Sequence, residues 1–538
     1  MSAQAGLFGA LWPRAGLGRE FLREPSGRSM SYEEAGARSA ALARSLERFG
    51  VRAGDRVAVQ VEKSSTAVLL YLAVLRLGAV YLPLNTAYTE AELEYFLSDA
   101  EPALLVCTPE RAGALQALLA RLQLPAPATL GSDGASGSLI EAAAHEPPQF
   151  EDAPLGSGDL AAILYTSGTT GRSKGAMLTH GNLIANARTL AQLWRFTGAD
   201  RLLHALPLFH IHGLFVAINT TLAAGAGVLL LPRFDPVLLL RHLPEATVLM
   251  GVPTHYTRLL AEPALTREAA AHMRLFICGS APLLPETHLA FRECTGHAIL
   301  ERYGLSETGM NCSNPYIGER RPGSVGLPLP DVQLRIVDST AAAECAGAEA
   351  AVRECPVGQI GMIEVRGPNV FAGYWRDPER TREAVRSDGY FITGDLGQRD
   401  AEGYVTLVGR ARDLIISGGY NVYPREVELE IDALPGVLES AVIGLPHPDF
   451  GEAVTAVIVA ATVGAPSADR PPSPDAPSLG EAQVLAALRQ RLAGYKLPKR
   501  VLFVPELPRN IMGKVQKAQL QRTYAGLYAA LPAGTPRV

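Results

Sequence analysis

The residues of this chain that could do chemistry form one dense cluster and several scattered points. The cluster is Thr166-Ser167-Gly168-Thr169-Thr170-Gly171-Arg172-Ser173-Lys174-Gly175, directly after the apolar run Ala161–Tyr165. Small residues let backbone N–H groups approach anionic oxygens, the hydroxyls donate further hydrogen bonds, and Lys174 adds a compact positive charge. That is the chemistry of a phosphate grip. It is not a Walker A loop, because G-x-x-x-x-G-K-[ST] is absent. By composition alone the stretch also reads as a flexible Gly/Thr/Ser linker. The scattered points have ordinary readings too: Gly279-Ser280-Ala281-Pro282 as a strand-to-helix turn capped by Ser280, His210 as a satisfied buried histidine, Ser417-Gly418-Gly419 as a hairpin turn, and Lys514 as a surface lysine.

Strands and helices must hold these points in place, and the sequence carries both. Apolar residues at helical spacing over Ser31–Phe49 read as the first helix, followed by a strand at Val57–Gln60, a helix at Thr66–Leu77, and short apolar runs at Ala79–Leu82 and Leu104–Cys107. Buried-strand runs recur at Ala161–Tyr165, Gly227–Leu231, Val248–Gly251 and Leu275–Cys278. The alternation predicts an α/β fold with mostly parallel sheets. Shorter strands follow at Gly361–Arg366, Gly403–Val408 and Ala441–Gly444, with a helix at Arg425–Ala433. The expected organisation is a large layered N-terminal α/β domain over 1–409, a hinge at 410–413 and a small α+β C-terminal domain over 414–538. Thr340–Glu354 and Ala465–Ser478 read as surface excursions.

Apolar residues make up 48% and charged residues 19% of the 538 positions, the balance of a globular enzyme and not of a disordered chain. A net charge of −5 implies no general attraction to nucleic acid or anionic membrane, so any anion site must be local. Six cysteines without a C-x-x-C pair or zinc spacing point to free thiols in a reducing compartment. Leu202–Pro232 carries no Asp, Glu, Lys or Arg, yet His204, Pro207, His210, His212 and Asn219 interrupt it. It therefore reads as a buried strand, loop and helix, with no membrane span. Arg14, Arg19 and Arg23 loosely resemble a transit peptide, but serine richness is missing and cytoplasm is the expected location.

The order of motifs is more specific than any one of them. Tyr165-Thr-Ser-Gly-Thr-Thr-Gly with Lys174-Gly, then Arg302-Tyr-Gly-Leu-Ser-Glu307-Thr, Tyr390-Phe-Ile-Thr-Gly-Asp395, Gly409-Arg410 and Pro508-Arg-Asn with Gly513-Lys514 resembles the adenylate-forming superfamily over nearly the whole chain. That superfamily holds acyl-CoA synthetases, luciferases and peptide-synthetase adenylation domains. The resemblance implies ATP, Mg²⁺ and coenzyme A as reactants. Carried over by position, Thr166, Ser167, Gly168, Thr169, Thr170, Gly171 and Lys174 would hold the β- and γ-phosphates. Gly279, Ser280 and Ala281 would form the nucleotide-side loop, with Tyr303, Gly304 and Ser306 near adenine, Asp395 on a ribose hydroxyl and Arg410 as a second ribose or phosphate contact. Glu307, with Thr166, would hold Mg²⁺; taken alone, Glu307 reads as a solvated surface acid. His210 would lie near the reacting carboxylate. Lys514 would carry the adenylation step, since an ammonium bridging carboxylate and phosphate oxygens offsets the approach of two anions. The C-terminal lobe would swing about Arg412, where relatives often have Asp or Lys, and Ser417, Gly418 and Gly419 would pass close to pantetheine.

Within the superfamily, Leu206-Pro-Leu-Phe-His-Ile-His-Gly-Leu214, Leu249-Met-Gly-Val-Pro-Thr254, Gly279-Ser-Ala-Pro-Leu283 and Glu301-Arg302-Tyr-Gly304 resemble malonyl-CoA synthetases. A dicarboxylate has one carboxylate to activate and one to bind in a dry pocket. A guanidinium such as Arg302 binds such a group bidentately; pairing with a structural acid is the other reading. Ile211 and Met310 would line the same small pocket, favouring malonate, tolerating methylmalonate and excluding long fatty acids. The rivals are a synthetase for another short acid and an enzyme that loads a carrier protein. No G-x-D-S-[LI] carrier motif occurs up to Val538. A silent nucleotide-binding regulator would have little need of Lys514.

Overall fold

The computed structural model describes residues 6–166, 173–338, 353–460, 479–510 and 513–528. The two excursions read from composition therefore lie outside the described residues, apart from Arg353 and Glu354 at the end of the first. The chain divides into two compact units. The larger comprises the chain to Arg335 with Glu364–Thr393 and Gly403–Val405; the smaller comprises Ile336–Ile363, Gly394–Glu402 and Thr406 onward. The division falls inside the strands Gln333–Val337, Gly361–Arg366, Phe391–Arg399 and Val405–Arg410, which the sequence reading placed almost wholly in the larger domain.

The larger unit contains two sheets built from the short apolar runs. In one, the order is Ala128–Thr129, Leu104–Cys107, Arg56–Gln60, Val80–Pro83, Leu160–Thr166, Lys174–Thr179. All pairs are parallel except the last, which is the hairpin carrying the Gly/Thr loop. In the other, Leu300–Leu305, Leu275–Cys278, Val248–Gly251, Arg201–His204, Gly227–Leu230 and Glu20–Arg23 run parallel in that order, with short antiparallel strands at both edges. Such strands are buried on both faces, which explains why they read as continuous apolar runs and not as alternation. Leu203, Leu249, Phe276, Tyr256 and Phe291 share one core. The helix Ser65–Leu77, capped by Ser64 and ended by Gly78 at φ +76°, is buried on every side.

The helix expected as the first begins where the sequence places it: Ser31 caps Tyr32–Arg48 in a capping box with Glu34. Structure nevertheless starts earlier, with a helix at Leu7–Leu11 and a strand at Glu20–Arg23, where Arg23 pairs with Glu20 and Glu245. The uncharged stretch folds as the strand Arg201–His204, a loop, a π-helical turn at His212–Ile218, the helix Asn219–Ala224 and the strand Gly227–Leu230. No helix among the described residues is long and apolar enough to cross a membrane.

In the smaller unit, a sheet holds Tyr420–Val422, Ile415–Ser417, Gly451–Ala460 and Val437–His447, with Arg500–Phe503 parallel to Gly451–Ala460. The helix Pro424–Asp432 packs on this sheet through Val427 and Ile431.

Candidate active site

Ser167, Gly168, Thr169, Thr170 and Gly171 lie outside the described residues, so the grip is defined by its flanks. Thr166 and Lys174 form the last pair of the hairpin beneath it. The helix Glu90–Ala100 holds both sides: Tyr95 donates to the Ser173 carbonyl at 2.6 Å, and Tyr165 donates to Asp99. Trp375 Nε1 donates to the Asp99 carbonyl at 3.1 Å. Gly175 has no room for a side chain, since a Cβ would lie 2.8 Å from Ile163 Cγ2 and 3.2 Å from Trp375 Cβ.

Residues 372–375 run alongside the Lys174–Thr179 strand through hydrogen bonds between Met177 and both Ala372 and Gly373, and between Gly175 and Trp375. This pairing sets the Tyr374 ring under the Lys174 ammonium, 5.0 Å from Nζ to the ring centroid. The Tyr374 hydroxyl donates to Glu307 Oε1 at 3.2 Å, and Phe371 N–H donates to the Glu307 carbonyl at 2.8 Å. Burial, and then the Glu307 charge, push the Tyr374 phenol pKa upward. Glu307 lies on the turn between Leu300–Leu305 and Gly309–Ser313, beside Ser306. No group of three or more His, Cys, Asp or Glu side chains among the described residues would cage a metal. A lone carboxylate fits Mg²⁺, which keeps waters and takes substrate phosphate oxygens for its other ligands.

Tyr303 is buried opposite Cys312, with a register shift between it and Gly304. Gly304 is obligatory, because a Cβ would lie 2.0 Å from the Gly309 carbonyl oxygen and 2.4 Å from Met310 Cε. Asn186 holds the Met310 backbone at both its N–H and its carbonyl. Ile211, also buried, lines a small internal cavity with Leu178, Asn186, Phe215 and Gly309.

At the carboxyl ends of the parallel strands the character becomes basic. Arg302 is only 3% exposed, and its Nε and Nη2 have no hydrogen-bond partner among the described residues. Burial draws its pKa down to about 10. Gly279 makes the space: a Cβ there would lie 2.5 to 2.8 Å from the Arg302 guanidinium. His210 accepts from the His212 N–H at 3.2 Å, and burial followed by the Arg302 charge lowers it to about 4, leaving the ring neutral near pH 7. His212 is shifted down for the same two reasons, and its Nε2 is also unpartnered among the described residues. Ser280 does not cap a helix: the helix that follows begins at Pro285 with Leu284 at its N-cap. Ser280 stands at φ +74° with Oγ 3.2 Å from His212 Nδ1, and Ala281 follows it. A non-glycine residue in that region costs of order 1 kcal/mol and is held by its surroundings.

In the smaller unit, Arg410 Nε pairs with the buried Asp395 at 2.8 Å. Lys514 is partly buried; burial, then the Arg410 charge, lower its pKa to about 8, against the opposing pull of Asp395. A tight turn presents it, with Asn510 Oδ1 accepting from the Lys514 N–H and Gly513 at φ +73°. Arg412 belongs to a single 3₁₀ turn, Ala411–Asp413, 3.6 Å from Asp413. Ser417 and Tyr420 pair across Gly418 at φ +59° and Gly419 at φ +84°, which are the angles of a type I′ hairpin turn. Tyr374 escaped the sequence reading, since Gly373-Tyr374-Trp375 carries no sign of the strand pairing that aims it.

Comparison with known proteins shows the family. The AMP-binding enzyme model matches residues 13–375, and that of the AMP-binding enzyme C-terminal domain matches 426–514. The crystal structure of ATP-bound MatB from Rhodopseudomonas palustris superimposes with a TM-score of 0.91 at 53% identity, covering 97% of this chain and 99% of that one. The malonate–CoA ligase of Arabidopsis thaliana is 35% identical, covering 89% of this chain and 79% of its own length. A feruloyl-CoA synthase from Amycolatopsis is 37% identical over 93% of this chain and 94% of its own. With both family models matched in order and a relative this similar along almost its full length, the chain belongs to the AMP-binding enzyme family, the adenylate-forming superfamily whose ordered motifs it carries.

Proposed function

We propose that the protein is an ATP-dependent malonate–CoA ligase. The observation that carries this reading is Arg302, a buried guanidinium with two nitrogens that have no hydrogen-bond partner among the described residues. A buried charge without a counter-charge is costly. The distal carboxylate of a dicarboxylic acid supplies both the charge and the two acceptors. An aromatic acid such as ferulate brings only neutral phenol and methoxy oxygens at its far end and no counter-charge, so Arg302 favours the malonate reading over the feruloyl one. The malonate–CoA ligase among the relatives supports the same choice.

Malonate binds with one carboxylate on Arg302 and the other near His210, whose neutral ring does not trap the reacting carboxylate as an ion pair. An oxygen of that carboxylate attacks the α-phosphorus of ATP, and pyrophosphate leaves into the grip of Lys174 and Thr166–Gly171. Glu307, with Thr166, would hold Mg²⁺, which neutralises phosphate charge when bound. Tyr303, Gly304 and Ser306 flank the adenine, Gly279 to Ala281 border the nucleotide, and Asp395 with Arg410 hold the ribose. The Lys514 ammonium stabilises the charge that develops between carboxylate and phosphate. In the second step the thiol of coenzyme A attacks the acyl carbon and AMP leaves. Ser417, Gly418 and Gly419 line the pantetheine path, and Arg412 serves as the hinge between steps. Ile211 and Met310 limit bulk at C2, so methylmalonate is a slower substrate. The five free cysteines among the described residues fit a reducing compartment, the cytoplasm.

Replacing Arg302 with Ala abolishes malonate-dependent pyrophosphate release while ATP binding persists. Malonate turnover near that of the unmodified protein would sink the assignment.

A further inference from the structure

Tyr374 touches two groups of opposite charge with different parts of one side chain. Its ring face lies 5.0 Å from the Lys174 ammonium, and its hydroxyl donates to Glu307 Oε1 at 3.2 Å. The side chain is itself 7% exposed and braced from several sides. Its N–H donates to Thr381 Oγ1 at 2.9 Å, its backbone bridges Ala176, and its ring meets Phe371 edge-on at 4.9 Å. Phe371 in turn donates its N–H to the Glu307 carbonyl, so the same short segment fixes that turn through backbone and side chain alike. Lys174 and Glu307 come from different sheets, and the strand hydrogen bonds of either sheet do not set one relative to the other.

We propose that Tyr374 is a positioning residue that couples Lys174 to Glu307, so that the triphosphate grip and the cation-holding carboxylate are set as one unit. This rests on the reading of the protein as an ATP-using ligase. The ring attracts the ammonium through its negative face. The hydroxyl fixes the rotamer of the carboxylate, as outer hydrogen bonds to metal-binding carboxylates do. The two contacts make separable predictions, because Tyr374→Phe removes only the hydroxyl whereas Tyr374→Leu removes the ring as well.

The test is calorimetric ATP binding to the full chain, with and without Mg²⁺ and without any acid substrate. Tyr374→Phe is expected to leave Mg²⁺-free ATP affinity unchanged and to raise the Mg²⁺ concentration for half-maximal enhancement roughly 10-fold. Tyr374→Leu is expected to add a roughly 3- to 10-fold loss in Mg²⁺-free ATP affinity. Combining Tyr374→Phe with Glu307→Gln is expected to add nothing to Glu307→Gln alone. An unchanged Mg²⁺ requirement in Tyr374→Phe, or additive losses in the double variant, overturns the coupling. Tyr374→Phe is the conservative variant and its melting temperature reports whether the fold is retained. If the unmodified protein fails to bind ATP, the ligase reading falls and the coupling with it. ATP binding that is indifferent to Tyr374 leaves the ligase reading standing and overturns only the coupling.

Discussion

Replacing Arg302 with Met should separate function from stability, because the two effects have opposite signs. Arg302 is 3% exposed with two unpartnered nitrogens, and its pKa is drawn down to about 10 by burial. A depression of that size corresponds to about 3 kcal/mol of cost for keeping the charge in place without a partner. Methionine has similar length, fits irregular apolar space and brings no charge. The ligand-free variant should therefore be at least as stable as the parent, with a gain of about 1–3 kcal/mol read as an upward shift of the urea midpoint. In the malonate complex the same guanidinium is paired, and losing one partner of a buried pair costs about 3–5 kcal/mol, or roughly 10²- to 10⁴-fold in kcat/KM. The assays are urea unfolding without ligand and pyrophosphate release with malonate beside an uncharged short acid. A variant that is destabilised by more than about 1 kcal/mol, yet retains malonate kcat/KM within about tenfold, would show that Arg302 is a structural cation and refute the reasoning.

Three further outcomes follow from the same structure. Gly279→Ala places a Cβ within 2.5 to 2.8 Å of the Arg302 guanidinium, so malonate KM should rise at least about tenfold and by more than ATP affinity falls; equal changes in both would point to general damage of the loop. Lys514 is protonated below its pKa of about 8, so the adenylation rate should fall as pH rises through that value. Lys514→Arg should flatten that limb and Lys514→Ala should lose roughly 10²- to 10³-fold, in single-turnover pyrophosphate release from pH 6.5 to 9.5. Gly419→Ala finds open space but a φ of +84°, so it should cost about 1 kcal/mol of stability and slow thioester formation while leaving pyrophosphate exchange intact. Equal slowing of both half-reactions would remove the hairpin from the second step.

Much of the fold is local information and was readable as such. The runs at Leu104–Cys107, Val248–Gly251 and Leu275–Cys278 are strands to the residue, because a strand buried on both faces must be apolar at every position. Ser31 with Glu34 announces a helix start through hydrogen bonds made within four residues. The helix at Leu7–Leu11 and the strand at Glu20–Arg23 were missed because each is too short to show a period; their burial against distant elements defines them. The order of motifs placed the chain in its superfamily.

The strands and the family follow from the sequence alone, since each depends on residue type and near neighbours. What only the tertiary structure decided is which groups are paired. Ser280 reads as a helix cap in sequence, but the chain folds it into a left-handed bend beside His212. Tyr374 meets Lys174 and Glu307 because strand pairing brings three remote segments together. Arg302 was open to a structural acid or to a substrate in sequence. The structure surrounds it with histidines, a close-approach glycine and no carboxylate partner among the described residues. A charge is only unpaired relative to everything around it, and that is a property of the packed chain.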